Sequence, residues 1–244
     1  MTQGVRGDVR LALVRSIHSR ERNEIREPET SVDLVQPEVQ MQSTDLDDDL
    51  RVAIVGAGGY GRVALDVLIA GGAEGWVLGF YDDARSSLSS KVRGFPVLGD
   101  IGMLKSMLSV ESVHVIVAIT DNVARLRVSN SLRGLGGKFS TAVHPTAYLS
   151  EEASVGDGSV VAASAVVHPD AAVGSHCYLG PGSVVERDAV VGAGVWLAAG
   201  AVVGEGARVG ARSLLGYNAS VGRKAFVEAD VRVSAAVHFD GEME

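Results

Sequence analysis

The stretch Ala165-Val-Val-His-Pro-Asp-Ala-Ala-Val-Gly-Ser-His-Cys-Tyr-Leu-Gly-Pro-Gly-Ser-Val-Val185 carries an aliphatic residue at 167, 173, 179 and 185, six apart each time. Counting outward in both directions finds Leu149, Val155, Val161, Val191, Leu197, Val203, Val209, Leu215, Val221, Val227 and Val233 in the same register, without a miss. The residue two before each is small in nearly every case (Ala153, Ser159, Ala171, Cys177, Ser183, Ala189), and glycine often follows directly, as at Gly156, Gly174, Gly192 and Gly204. Neither a helical period near 3.6 nor a strand period of 2 gives this spacing. A solenoid of triangular coils does, with each hexapeptide forming one short side and its aliphatic residue pointing inward. Three hexapeptides per turn predict about five coils of parallel β-helix over residues 142–236, with residues 237–244 as a tail.

Residues adjacent in a strand point to opposite sides, so the residue before each aliphatic faces outward. Steps of eighteen place Tyr148, Val166, Val184 and Val202 on one outer face, and Val160, Tyr178, Trp196 and Leu214 on another. Apolar outer faces of this kind require cover, and a symmetric oligomer is the simplest source of it.

Upstream, residues 51–141 alternate in the α/β manner. The apolar strand Val52-Ala-Ile-Val55 leads into Gly56-Ala-Gly-Gly-Tyr-Gly61 and then a helix pattern through Val63, Leu65, Val67, Leu68 and Ile69. A second strand over Val77–Tyr81 ends on Asp82-Asp83, and a third over Val113–Ile119 precedes Thr120-Asp121-Asn122 and another helix. The spacing of Gly56, Gly58 and Gly61 between strand and helix suits a phosphate-cradling turn, with Asp82 near the place of a ribose-binding acid. About ninety residues before the solenoid are too few for a two-half dinucleotide fold, so a mononucleotide or UDP-sugar fits better than a nicotinamide cofactor. A tight turn with no ligand is the plainer alternative.

Residues 1–50 differ from the rest. They lack hydrophobic periodicity after Ile17 and end in the acidic string Asp45, Asp47, Asp48 and Asp49. They read as a disordered extension with a short helix around Val9 to Ile17; a docking arm for a partner is the alternative. The net charge of −8 argues against nucleic acid as a partner. One cysteine, Cys177, excludes an internal disulfide, and no run is long enough to span a membrane. With no clean signal sequence, these features point to the cytoplasm.

From residue 51 onward the ordered set Val55–Gly61, Gly79-Phe-Tyr-Asp-Asp83, Val92-Arg-Gly-Phe-Pro-Val-Leu-Gly99, Ala118-Ile-Thr-Asp-Asn122, Val143-His-Pro-Thr-Ala147 and the hexapeptides resembles the bacterial sugar O-/N-acyltransferases, of the sialic acid O-acetyltransferase and UDP-amino-sugar N-acetyltransferase type. The resemblance implies a small Rossmann-like N-terminal domain that binds a sugar nucleotide, then a left-handed β-helix. It also implies a homotrimer with acetyl-CoA, or another acyl-CoA, between neighbouring helices and no metal. On that basis Gly56, Gly58, Gly59, Tyr60, Gly61, Asp82 and Asp83 line the nucleotide site, with Asp121 and Asn122 close by. Trp196, Ala198, Gly200 and Gly216 lie by the CoA.

The family's catalytic base is the histidine of a Glu-His-Asp run, which here reads Glu186-Arg187-Asp188. An arginine stays protonated and cannot take a proton. Trp196 stands where the family has a histidine next to CoA, Gly180-Pro181-Gly182 replaces an Asn-Thr-Gly, and Tyr60 replaces the histidine of the glycine loop. His168 and His176 occupy other hexapeptide positions and read as structural, as do His144 and His114; Glu186 or Asp188 serves as a weaker base only if buried. Arg187 alternatively holds a phosphate or carboxylate. Arg208, Arg212, Arg223 and Lys224 form a basic run, suited to CoA phosphates or to a plain solvated face. Two functions follow: an acyl-CoA-dependent acyltransferase with an altered base, or a degenerate homologue serving as a binding or scaffolding partner.

Overall fold

Val52–Val55 (β1) is apolar at every position and buried on both faces, as a central parallel strand must be. The computed structural model describes residues 50–241, and the sheet around β1 also contains Val77–Tyr81 (β2), Lys91–Val92 (β3), Phe95–Gly99 (β4), His114–Val117 (β5) and Lys138–Phe139 (β6). The order is β3-β4-β2-β1-β5-β6, parallel except for the β3–β4 pair. Helices Gly59–Ala70 (α1), Ile101–Leu108 (α2) and Asn122–Arg133 (α3) complete the domain. Strands β1, β2 and β5 and helices α1 and α3 are those expected from the sequence; β3, β4, β6 and α2 were not. The extension read as disordered lies outside the described residues.

From Ala142–Val143 (β7) to His238–Phe239 (β23) the chain makes two-residue strands in three parallel sheets of six, six and five, the left-handed β-helix. Face one holds Ala142–Val143, Val160–Val161, Tyr178–Leu179, Trp196–Leu197, Leu214–Leu215 and Arg232–Val233. Face two runs from Tyr148–Leu149 to His238–Phe239, and face three from Ser154–Val155 to Phe226–Val227. The aliphatic series and the small residues two before it form one buried column. The winding continues past 236, since His238–Phe239 pairs with Ser220–Val221; the expected tail begins inside the last coil.

The corners follow a second six-residue period. Gly158, Ser164, Asp170, His176, Gly182, Asp188, Gly194, Gly200, Gly206, Arg212, Asn218, Lys224, Asp230 and Ala236 all have φ between 53° and 70°. A left-handed residue costs a non-glycine side chain roughly 1–2 kcal/mol, which accounts for the Gly, Asn and Asp that recur here.

The N-terminal domain sits on face one and on the corner that follows face three. Val160, Tyr178 and Trp196 share a core with α1, Ile54 and Phe80. This corrects one expectation, because that outer face is covered by the chain's own first domain and not by another subunit. The second contact is polar. Helix α3 buries Asn122, Arg125, Ser129 and Leu132, and its polar members meet the solenoid backbone. Asn122 Nδ2 donates to the carbonyls of Arg212 and Ser213 at 2.8 and 3.1 Å. Arg125, fully buried, donates from Nε to His176 O and from Nη2 to Gly194 O, both at 2.8 Å. Its other donors reach Ile119 O at 2.7 Å and Asn122 Oδ1 at 2.7 Å. Residues 176, 194 and 212 are the same corner in three successive coils. A helical turn rises about 5.4 Å and a coil about 4.8 Å, so α3 laid along the solenoid meets one corner per turn.

His176 completes this contact. Arg133 Nη2 lies 3.3 Å from its Nε2 and can only donate, so Nε2 accepts. The Ser129 hydroxyl gives its hydrogen to Arg125 O at 2.9 Å, leaving Oγ to accept from Nδ1–H at 3.2 Å. The ring is therefore neutral, and burial pushes its pKa down to about 4 against the pull of Asp157.

Two outcomes are expected. Arg125→Met removes the donor to two interdomain carbonyls, those of His176 and Gly194, and lowers unfolding free energy by about 3–5 kcal/mol, measurable by urea titration. Between pH 6.5 and 4 the unfolded state binds a proton at His176 that the folded state refuses, so stability is full above 6.5 and falls toward 4. The loss is on the order of 3 kcal/mol, and His176→Asn, which tolerates the left-handed corner, flattens that slope in pH-dependent melts.

Candidate active site

The turn between β1 and α1 lies where strand order reverses, between β1 and β5, the usual crevice of an open α/β sheet. Its glycines divide into two kinds. At Gly56 (φ 99°) a Cβ would stand 2.6 Å from Ala118 O, and at Gly61 it would collide with the Gly56 carbonyl oxygen, so both are required by the fold. At Gly58 and Gly59 a Cβ would meet nothing within 4 Å. These two leave open space over the N-terminus of α1, which has no side-chain cap and no acidic residue in its first turn. Bare N–H groups at a helix start suit an anion.

Asp82 ties this turn to the end of β2, its Oδ2 accepting from Ala57 N and its Oδ1 from Ala84 N, each at 2.8 Å. Asp83 accepts from Ile101 N, at the start of α2, at 2.9 Å. Asp121 caps α3 through Ala124 N at 2.7 Å. Gly56, Gly58, Gly59, Gly61 and Asp82 are thus gathered at one turn, with Asp83 beside them bound to the start of α2. Tyr60 and Asn122 are placed elsewhere. Tyr60 is buried in the interdomain contact, its ring 5.0 Å from that of Tyr178 and 4.9 Å from that of Trp196, with the Arg125 guanidinium 6.0 Å away. Its hydroxyl has no partner among the described residues, and burial raises its pKa. Asn122 belongs to the α3 contact described above.

Trp196 points into that same contact, 5.8 Å from the Arg125 guanidinium. Ala198, Gly200 and Gly216 occupy the corner after face one. Gly216 is needed for coil stacking, because a Cβ there would lie 2.6 Å from Ala235 N; at Gly200 it would meet the Asn218 side chain.

Glu186-Arg187-Asp188 forms the corner after face two, the vertex opposite face one and so opposite the chain's own N-terminal domain. Arg187 Nη2 pairs with Glu205 at 2.7 Å, and Arg223 meets the same carboxylate at 3.2 Å, one coil further on. The hydrogen bond that Arg187 donates to Glu205 raises the Arg187 pKa, and the two arginines lower that of Glu205. Asp188 is the exposed left-handed residue of its turn, and Glu186 is 37% exposed, so the burial that would make either a base is missing. His168, read from its position as structural, lies one coil below with Nδ1 3.1 Å from Glu186 Oε2. The sequence signal for that pair was the eighteen-residue separation of 168 and 186. His144 bonds Thr146 within its turn, and His114 bonds Ser140. Of the basic run, Arg212 is bound bidentately by Asp230 at 2.6–2.7 Å, while Arg208 and Lys224 are exposed.

Residues 51–132 match the family model for the PglD N-terminal domain, and residues 141–187 that for the bacterial transferase hexapeptide (six repeats). The acetyltransferase domain of PglB from Neisseria gonorrhoeae is 30% identical, aligned over 80% of this chain and 93% of its own, with a TM-score of 0.74. The chain belongs to the bacterial hexapeptide-repeat sugar acyltransferase family. Two further acyltransferase structures resemble it. PerB from Caulobacter crescentus, solved in complex with CoA and GDP-perosamine, is 29% identical over 79% of this chain and 90% of its own, TM-score 0.73. The PglB domain in complex with acetyl coenzyme A is 28% identical over 78% and 95%, TM-score 0.60. No curated protein matches the chain. Among the described residues of this acyltransferase, no group of His, Cys, Asp and Glu could hold a metal ion, and no helix is long and apolar enough to cross a membrane.

The glycine turn yields a contrast between two variants. Gly59→Ala, in open space on the first helical turn, is expected to keep or raise the melting temperature, with about 0.4–1 kcal/mol available from the stiffer unfolded chain. Gly61→Ala must displace the Gly56 carbonyl and is expected to melt several degrees lower or not fold. Circular dichroism melts of the two check this.

Proposed function

We propose that the protein is an acyl-CoA-dependent acyltransferase, most simply an acetyltransferase, acting on an amino or hydroxyl group of a sugar nucleotide. The observation that carries this reading is the pair of open glycines, Gly58 and Gly59, above an uncapped helix start. The fold has no packing reason to omit side chains there, whereas a phosphate needs close approach to the backbone. Gly56 and Gly61 shape the turn, and Asp82 and Asp83 hold it against the end of β2 and the start of α2. Asp121 borders the crevice. PerB, with CoA and GDP-perosamine together, supports the pairing of acyl donor and sugar nucleotide.

Acyl-CoA supplies the activated thioester. Ala198, Gly200 and Gly216 form a corner of minimal side chains along which the cofactor's arm would lie, although stacking of the coils already accounts for Gly216. Within one chain the glycine crevice and Glu186-Arg187-Asp188 stand on opposite sides of the solenoid, so both meet one substrate only if neighbouring subunits pack together. The half-exposed outer face of Val166, Val184 and Val202, with exposed Tyr148, supports a homotrimer. The second reading, a non-catalytic binding partner, is favoured by Arg187, whose charge is held by Glu205 in place of the family's histidine.

Calorimetric titration separates the two. Wild type is expected to bind acetyl-CoA and, independently, GDP-perosamine as a probe nucleotide. Gly58→Val should weaken the nucleotide at least tenfold while leaving acetyl-CoA unchanged. Absence of acetyl-CoA binding by both wild type and Arg187→His removes the acyltransferase reading and leaves the partner reading.

A further inference from the structure

We propose that His168 takes over as the proton acceptor of the reaction, supplied from the coil below the run in which the family carries its histidine. The inference rests on the acyltransferase reading above and concerns how a chain with arginine at 187 can still perform it.

The β-helix sets the placement. Val167 pairs with Val185 in register, and His168 N donates to Val185 O at 2.9 Å, so residues 168 and 186 are stacked neighbours at one corner. The carboxylate of Glu186 turns down to this neighbour and lies 3.1 Å from Nδ1. The guanidinium of Arg187 turns the other way, up to Glu205, which Arg223 also holds. The acid of the run therefore makes its close contact with an imidazole, while the arginine beside it makes its own with Glu205. Glu186 keeps the role the family gives its acid, that of orienting a ring, and the ring has moved by one coil, ~4.8 Å along the axis.

The chemistry follows from the pairing. A carboxylate accepts only, so the neutral ring carries its hydrogen on Nδ1 and presents the lone pair of Nε2. Nε2 has no partner among the described residues, and the side chain is 38% exposed, so an acceptor can reach it. As the amine or hydroxyl attacks the thioester carbonyl carbon, Nε2 takes its proton and Glu186 stabilises the resulting imidazolium. The new C–N or C–O bond forms, the C–S bond breaks, and the CoA thiolate leaves with the proton returned by His168. Products are the amide or ester and free CoA, with no change of oxidation state. His176, the other solenoid histidine near the middle coils, is buried and consumed by Ser129 and Arg133, so it cannot do this.

The test uses the full chain with acetyl-CoA and GDP-perosamine as the probe amine, following thiol release and, separately, acetyl-CoA affinity by calorimetry. We expect His168→Asn to lower kcat by 100-fold or more, with acetyl-CoA Kd and acceptor KM within twofold of wild type. Glu186→Gln, which leaves the ring in place but unoriented, should lose roughly tenfold in kcat. Arg187→His added to His168→Asn should restore turnover by returning a histidine to the run, which a merely structural role of His168 does not explain. Turnover of His168→Asn within threefold of wild type overturns the proposal and leaves the acyltransferase standing. Acetyl-CoA binding without thiol release by wild type overturns His168 as a working base while leaving the cofactor site. Loss of acetyl-CoA binding in wild type itself removes the underlying reading and the proposal with it.

Discussion

The guanidinium of Arg125 is the interaction on which the arrangement of the molecule depends. It is fully buried, and among the described residues no carboxylate pairs with it; carbonyl oxygens from two coil corners and from Ile119, just beyond β5, answer its charge. A buried cation left unpaired costs several kcal/mol, so the geometry around Arg125 must be satisfied as a whole or not formed. The match between helix pitch and coil spacing lets Asn122 and Arg133 extend the same contact one coil above and one below. Gly194 permits it, since a Cβ there would stand 2.7 Å from the Leu126 side chain.

This contact fixes where the chemistry can happen. With the first domain held on face one and the neighbouring corner, the glycine crevice faces away from the chain's own Glu186 corner. The apolar surface that Tyr178 and Trp196 would expose is consumed internally by Tyr60 and α1. What remains for association is the face of Val166, Val184 and Val202, which borders both the small-residue corner and the corner of His168. A subunit packed there places a second chain against both corners at once.

The solenoid was almost wholly legible because its rule is local and repeated: an inward aliphatic residue every sixth position, with a small one two before it. The first domain was legible in its apolar strands and α1, whose buried sides are hydrophobic. Helix α3 was placed, but its function in docking was not, because Asn122, Arg125 and Ser129 look like a solvated face until the carbonyls they bind are known. Motif position alone suggests ligand contacts for Tyr60, Asn122 and Trp196, and it carries no sign that their side chains also pack in the interdomain contact. His168 holds a different hexapeptide position from the family's histidine, yet residues eighteen apart are stacked neighbours. Contacts between coils follow that longer period, which the six-residue reading did not apply to side chains.

The measurement that bears most directly on this architecture is native-state hydrogen exchange of the full chain, resolved by peptide. If the α3 contact joins the two parts into one unit, the slowest amides of the central strand Val52–Val55 and those of the middle coils around His176 and Gly194 should open with the same free energy. An N-terminal domain whose slowest amides exchange orders of magnitude faster than the coils would show that the two parts open independently, and that the buried arginine does not hold them together.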